Sequence, residues 1–223
     1  MPRRVAMVER CSGGASYPGT GSLRMSASIQ GSGISSAASL DFGVGALRCS
    51  DLFIASGGAM VRYEYDGMGA TVPFNQVTEE IFDHFMNVHF KGVYFFTQKL
   101  LPLLSDGGRI LNVSTGTTRF CVPGYSVYAS MKGAVEVLTR YLAKELGPRG
   151  ITVNVLAPGP VETDFNNAAI RSNPQMKSFL SNAAALGRVG EADDIGGVVA
   201  LLCSEQAGWI NGQRIEASGG INL

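Results

Sequence analysis

The sequence has no surplus of either charge: eighteen Lys and Arg stand against eighteen Asp and Glu. A balanced chain sets up no long-range field toward nucleic acid or an anionic membrane, which leaves small molecules and other protein subunits as partners. Cysteine is scarce too. Cys11, Cys49, Cys121 and Cys203 lie far apart, with neither the paired spacing of a metal site nor the density of a disulfide scaffold, so the thiols read as reduced and the compartment as cytoplasmic. No stretch approaches the ~18 consecutive apolar residues of a membrane span, and the opening MPRRVAMVER holds no apolar run of signal-peptide length. With 223 residues, 45% of them hydrophobic, the chain is long enough for one domain, residues 1–223, with a sizeable core.

Regularity is missing from the first third. Residues 1–69 hold 12 Gly and 11 Ser, a third of that part, and no sustained helical period, so residues 1–69 are poorly specified. From residue 70 the pattern changes. TEEIFDHFMNVHFKGVYFFTQKLLPLL is apolar at helical intervals, with Thr78 as N-cap and Glu79 and Glu80 in the first turn, where acids suit the helix dipole. Ile81 stands where a capping box needs an acid or amide, so there is no box. GGRILNVS reads as a buried strand, GYSVYASMKGAVEVLTRYLAKELG as a helix closed by Gly147 and Pro148, ITVNVLAPG as a second buried strand, EADDIGGVVALLCS as a helix and QRIEASGG as a third strand. Alternating strands and helices predict an α/β fold, a doubly wound parallel sheet covered on both faces. In such sheets ligands bind beyond the carboxyl ends of the strands. Those ends are Ser114-Thr115, which offers hydroxyls, and Pro158-Gly159, a turn expected to free backbone N–H groups.

The helix that follows Ser114-Thr115 carries Tyr128 and, four residues on, Lys132. On one helix face their Cβ atoms lie roughly 6 Å apart. An ammonium about 4 Å from a phenol favours the phenolate by up to roughly 4 kcal/mol at an effective dielectric near 20, about three pKa units, which brings tyrosine toward neutral acid-base work. The bland alternative is that Lys132, Glu136, Arg140 and Lys144 form a solvated charged row.

The wider context narrows the choice. A strand ending NVST, a tyrosine 13 residues after Thr115, a lysine four further on, then PGPVETD, GRVGEADDIG and INGQRIEASGG resemble the short-chain dehydrogenase/reductase family over about residues 70–223. The resemblance implies a Rossmann-like sheet and an NAD- or NADP-dependent oxidoreductase acting on a small alcohol or carbonyl substrate. It implies that Tyr128 exchanges a proton with the substrate oxygen, and that Lys132 tunes the tyrosine and binds the nicotinamide ribose. The family's catalytic serine falls on Thr115, with Ser114 one place earlier on the opposite strand face. Its helical asparagine, which holds a relay water, falls on His89, although a lone histidine on an apolar helix is more often a packed core residue. Pro158, Gly159, Val161 and Thr163 match the segment that meets the nicotinamide carboxamide. Asn112 sits where the family's strand lines the cofactor, or is a strand asparagine bonded to its neighbours. NNAAIRSNPQMKSFLSNAAALG occupies the place of a substrate lid. The family also implies a homodimer or homotetramer, built on the helix around residues 79–104 and the Tyr128 helix.

The N-terminal βα units are incomplete or degenerate by the same comparison. The nearest approach to the family's glycine-rich phosphate turn is Gly14-Ala-Ser-Tyr-Pro-Gly19-Thr-Gly21, one residue too long and interrupted by Pro18. Asp41 lies at the usual distance for a ribose acid without a strand before it. DLFIASGGAM reads as a strand whose end, with Gly57 and Gly58, takes the place of the family's Asn-Asn-Ala-Gly. The abrupt change near residue 68 also fits a frame-shifted segment joined to an intact one. A second function therefore stands beside the enzyme: a non-catalytic remnant or scaffold that has lost dinucleotide binding.

Overall fold

The computed structural model describes residues 24–29, 50–56, 59–64, 71–163 and 165–223, of which the first three stretches and residues 165–167 are described as backbone only. The sheet order is β1-β3-β2-β4-β5-β6. β4 (Arg109–Val113), β5 (Thr152–Pro158) and β6 (Arg214–Ala217) run parallel, with Asn112 beside Val155 and Leu156 beside Ile215. Parallel neighbours need a long crossover, and helices supply it. α3 (Ser126–Leu146) leads from β4 to β5; α4 (Phe165–Ser172), α5 (Pro174–Ala183) and α6 (Ala192–Cys203) lead from β5 to β6.

Strand alternation sorts the core into two layers. Ile110, Val153 and Val155 face α3 and α2 (Gly92–Leu100), meeting Phe96, Val93, Val135 and Ala143. Leu111 and Leu156 face the other way onto Ile195, Val199 and Leu202 of α6. Both faces are covered, so six consecutive residues of β5 are buried, and each buried Val or Leu contributes about 1.5–3 kcal/mol. This is the doubly wound architecture expected for these strands.

The helical limits follow the capping signals. Thr78 caps α1 (Glu79–Met86), its hydroxyl accepting from the Ile81 N–H at 3.3 Å. α6 begins with a reciprocal box that joins Glu191 and Asp194, the Asp194 carboxylate accepting from the Glu191 N–H at 2.7 Å. α3 ends at Leu146, but the left-handed turn that stops the chain is at Gly150 (φ 67°), one 3-10 turn later than the expected stop at Gly147. Between α1 and α2 the helix widens into a π-turn over Asn87–Lys91.

The other half of the sheet departs from the parallel expectation. β2 (Ser50–Ser56) is the strand expected within DLFIASGGAM, yet it pairs antiparallel with β4, Ala55 opposite Arg109, and antiparallel with β3 (Ala59–Glu64), which pairs antiparallel with β1 (Arg24–Ile29). The reason is the connection. Only two residues separate β2 from β3, and so short a link joins antiparallel neighbours alone; α1 and α2 then return the chain to β4 in the direction of β3, which leaves β2 antiparallel to both. The carboxyl end of β2 consequently lies beside Arg109, at the edge opposite Ser114. Gly57 and Gly58 themselves, the stretch Gly14–Gly21 and Asp41 lie outside the described residues.

Candidate active site

Tyr128 and Lys132 stand one turn apart on α3 and are both buried, at 8% and 1% exposure. This rules out the solvated row at its first member. The Lys132 ammonium donates to the Val113 carbonyl at 3.0 Å and lies 5.7 Å from the centre of the Tyr128 ring. A buried ammonium costs several kcal/mol unless its hydrogen bonds are met, and the last carbonyl of β4 meets one of them. The lysine thereby ties the reactive helix face to the strand end.

That strand end separates its two hydroxyls. Ser114 is buried, and its hydroxyl donates to Glu136 Oε1 at 2.6 Å while its N–H donates to the Leu156 carbonyl at 2.7 Å. Thr115 is half-buried and extended (φ −153°), and its Oγ1 accepts from the Thr117 N–H at 3.3 Å to open the 3-10 turn Gly116–Thr118. Ser114 is thus engaged with α3. Thr115 presents its hydroxyl at the carboxyl edge of the sheet.

His89 sits in the π-turn, buried, with its ring edge-on to Tyr128 at 5.0 Å between centres and tilted against Phe85 at 5.6 Å. The wider helical turn carries an imidazole into the Tyr128 environment, and such turns gather at functional sites. Tyr125 approaches Tyr128 at 6.2 Å, but burial pushes its phenol up, holding it protonated. Asn112 is not brought to this edge. It is fully buried, and its Nδ2 donates to Thr139 Oγ1 of α3 at 2.8 Å, the arrangement of an internally bonded strand asparagine.

Beyond β5, the turn frees fewer amides than expected. The Gly159 N–H donates to the Ala217 carbonyl at 3.0 Å, that of Glu162 to Gly190 at 2.9 Å and that of Thr163 to Val161 at 3.0 Å. The Val161 N–H has no acceptor among the described residues. Glycine is needed at 159 for space: a Cβ there would come 2.6 Å from Ser218 Cα. Pro158 and Gly159 are therefore locked against β6 and Val161 against the Gly190 loop, while Thr163 folds back on Val161, and the Val161 N–H is left over among the described residues.

Two functional-looking residues escaped the sequence reading. Glu136, taken there for part of a solvated row, is pulled inward, and Arg214 of β6 reaches it at 2.9 Å while donating to the Thr115 carbonyl at 3.0 Å. The signal available was spacing, since Glu136 lies four residues past Lys132. Next to them Arg119 and Glu216 form a two-pronged ion pair at 2.7 and 2.9 Å. The Arg119 guanidinium, with help from Ser218 and Arg214, holds the Glu216 carboxyl down to about 2. Burial pushes the Cys203 thiol up to about 11, keeping it an unreactive thiol. No helix among the described residues is long and apolar enough to cross a membrane, and no cluster of His, Cys, Asp and Glu among them suits a metal.

The residues present fit the nicotinamide end of a dinucleotide. Lys132 and Tyr128 supply hydroxyl-binding groups beside the strand end, and the spare Val161 N–H is a donor for a carboxamide oxygen. The glycines that would cradle the phosphates lie outside the described residues.

Comparison with known proteins identifies the family. The family model described as Enoyl-(Acyl carrier protein) reductase matches residues 52–222. An uncharacterised oxidoreductase of Methylorubrum extorquens is 41% identical over 146 residues, 66% of this chain and 59% of that protein. The tetrahydroxynaphthalene reductase PfmaG of Pestalotiopsis fici is 36% identical, with 69% of this chain and 60% of the relative covered. Among solved structures, the angucycline C-6 ketoreductase LanV with bound NADP superposes with a TM-score of 0.66 at 41% identity, covering 70% of this chain and 60% of that one. The chain spans about three fifths of the length of these relatives. Family match, identity and fold together place the chain in the short-chain dehydrogenase/reductase family.

Proposed function

We propose that the protein is an NAD- or NADP-dependent oxidoreductase that interconverts a small-molecule ketone and alcohol. The observation that carries this reading is the buried Lys132 ammonium, fixed on the Val113 carbonyl beside the Tyr128 ring. When bound, a reduced nicotinamide supplies the hydride that the carbonyl carbon takes up. The Tyr128 phenol gives its proton to the carbonyl oxygen, and the Lys132 ammonium stabilises the phenolate left behind. The Thr115 hydroxyl accepts from the Thr117 N–H and lies 3.2 Å from the Thr117 hydroxyl; with Thr117 as the donor of that pair, the Thr115 proton goes to the same substrate oxygen. Its methyl group narrows the site and restricts the rotamer relative to serine. The Val161 N–H supports a role in orienting the carboxamide, with Pro158, Gly159 and Thr163 holding that segment. His89, edge-on to Tyr128, serves in the relay that returns a proton to the phenol.

LanV, with NADP bound, is a ketoreductase of similar fold, which favours the reductive direction here. The half-exposed Tyr94 and Phe95 of α2 and the exposed Tyr141 of α3 support a homodimer or homotetramer built on these helices. A reading as a non-catalytic remnant draws on the antiparallel β2–β3 hairpin.

The test is a fluorescence titration with NADH and NADPH, followed by reduction of a ketone panel. Saturation below about millimolar concentration and turnover are expected, the dinucleotide's remote half contributing much of the affinity. Tyr128→Phe abolishes turnover and leaves that saturation nearly intact, the remaining contacts to the dinucleotide being kept. Failure to saturate either dinucleotide selects the remnant.

A further inference from the structure

Three successive residues at the end of β4 are each held by a different charged side chain. The Val113 carbonyl accepts from Lys132 at 3.0 Å, the Ser114 hydroxyl donates to Glu136 at 2.6 Å, and the Thr115 carbonyl accepts from Arg214 at 3.0 Å. Glu136 and Arg214 also bind each other at 2.9 Å, with side chains only 15% and 24% exposed. The Thr118 hydroxyl, with one proton to give, lies 2.7 Å from the same Glu136 oxygen and 2.9 Å from the Thr115 carbonyl. One carboxylate oxygen thus gathers α3, the strand end and the turn that follows it, and one guanidinium adds β6.

We infer that Glu136 and Arg214 are positioning residues, which set the Thr115 hydroxyl against Tyr128 by fixing the backbone on either side of it. The inference rests on the oxidoreductase reading for its catalytic consequence and on hydrogen bonds alone for its structural one. Tyr128 and Glu136 stand two turns apart on one helix, so the distance from the phenol to the strand end is set by how firmly Glu136 holds Ser114 and Thr118. Arg214 is suited to the task because its planar fork reaches several partners in fixed directions, the Glu136 carboxylate through Nε, the Thr115 carbonyl through Nη2 and the Glu216 carboxylate through Nη1. Lysine has no such fork. Neither residue touches the substrate edge, so each acts through Thr115.

The variants are E136A, E136Q, R214M and S114A in the full chain, assayed for dinucleotide affinity and for kcat and KM of ketone reduction. In E136A and R214M, kcat falls about tenfold to a hundredfold, the cost of about 1 Å of misplacement, while dinucleotide affinity stays within about twofold. E136Q keeps an oxygen that can accept from Ser114 and Thr118, so it recovers part of the kcat lost in E136A. Unchanged kcat in both E136A and R214M, or a parallel loss of affinity and kcat with no recovery in E136Q, overturns the inference. Hydrogen exchange of the 114–118 amides supplies a readout free of turnover. In S114A and R214M it accelerates about tenfold or more, the loss of one charged hydrogen bond, with the amides of β5 unaffected. Unaltered exchange overturns the inference even if the variants are active. If the wild type binds no dinucleotide or turns over no ketone, the function proposed above fails by itself, and the exchange measurement still decides the positioning.

Discussion

Replacing Glu216 by glutamine should remove a defined share of the protein's resistance to acid. Its carboxyl is held down to about 2 from an ordinary 4.5, chiefly by the Arg119 guanidinium at 2.7 Å and then by Ser218 and Arg214. A folded-state value below the unfolded one means that the charged form stabilises the fold; this stability is complete above about 4.5 and is lost as the pH falls toward about 2. The difference of about 2.5 units corresponds to about 3 kcal/mol at 1.36 kcal/mol per unit. Solvent reaches 37% of the Arg119 side chain and 17% of Glu216, so screening brings the expected contribution to about 1–2 kcal/mol. Urea unfolding of wild type and Glu216→Gln at pH 7 and at pH 2.5 reads it directly. The variant should be less stable at pH 7 by that amount, and most of that difference should be gone at pH 2.5, close above the folded value. Asp194, also held down to about 2, by Arg188, contributes the same acid slope to both proteins and cancels in the comparison. Parallel acid profiles for the two proteins would refute the assignment of that stability to the Arg119–Glu216 pair.

Gly159→Ala places a methyl group 2.6 Å from Ser218 Cα and 3.0 Å from its carbonyl oxygen, so β5 and the loop after β6 must part by about 1 Å, at a cost of about 1–3 kcal/mol in urea unfolding. A cost below about 0.5 kcal/mol would show that the two backbones do not approach so closely. Thr139→Val keeps shape but deletes the oxygen that accepts from Asn112 Nδ2 at 2.8 Å. Because Asn112 is fully buried and its Oδ1 has no partner among the described residues, the variant should lose about 1–3 kcal/mol with unaltered dinucleotide affinity. A loss of affinity without a loss of stability would return Asn112 to the cofactor side.

The part of the fold that could be read from sequence is the part that local signals determine. β4 and β5 are continuous apolar runs because both of their faces are covered, and α1 and α6 start where a Thr and an acid cap them. The residues of β2 were legible as a strand from a short apolar run that ends in small residues. Its direction was not, because pairing is a long-range property to which the strand's own composition is indifferent. The two residues between Ser56 and Ala59 set β2 against β3, and the return from β3 to β4 then sets it against β4, whereas the family resemblance supplies a parallel strand at that position. The π-turn at Asn87–Lys91 has no comparable signature; it differs from α-helix by one residue of slack, and its inward-facing His89 is seen only once α3 is packed beside it.

The candidate site divides in the same way, and helix geometry explains where. Tyr128, Lys132, Glu136, Arg140 and Lys144 form an i,i+4 row, but at 3.6 residues per turn each step overshoots by about 40°. From Tyr128 the row has turned about 80° by Glu136 and about 120° by Arg140, and the stripe a helix buries is about 100° wide. The row therefore leaves the protein between Glu136 and Arg140, as the structure shows: Lys132 is buried, Glu136 is half-buried under Arg214, and Arg140 and Lys144 are exposed. Reading all the charges as solvated, or all as functional, misses this drift. The same 40° step makes Glu136 the last residue of the row able to reach the strand end, so α3 commits three of its side chains to the site and spends the remaining two on solvent.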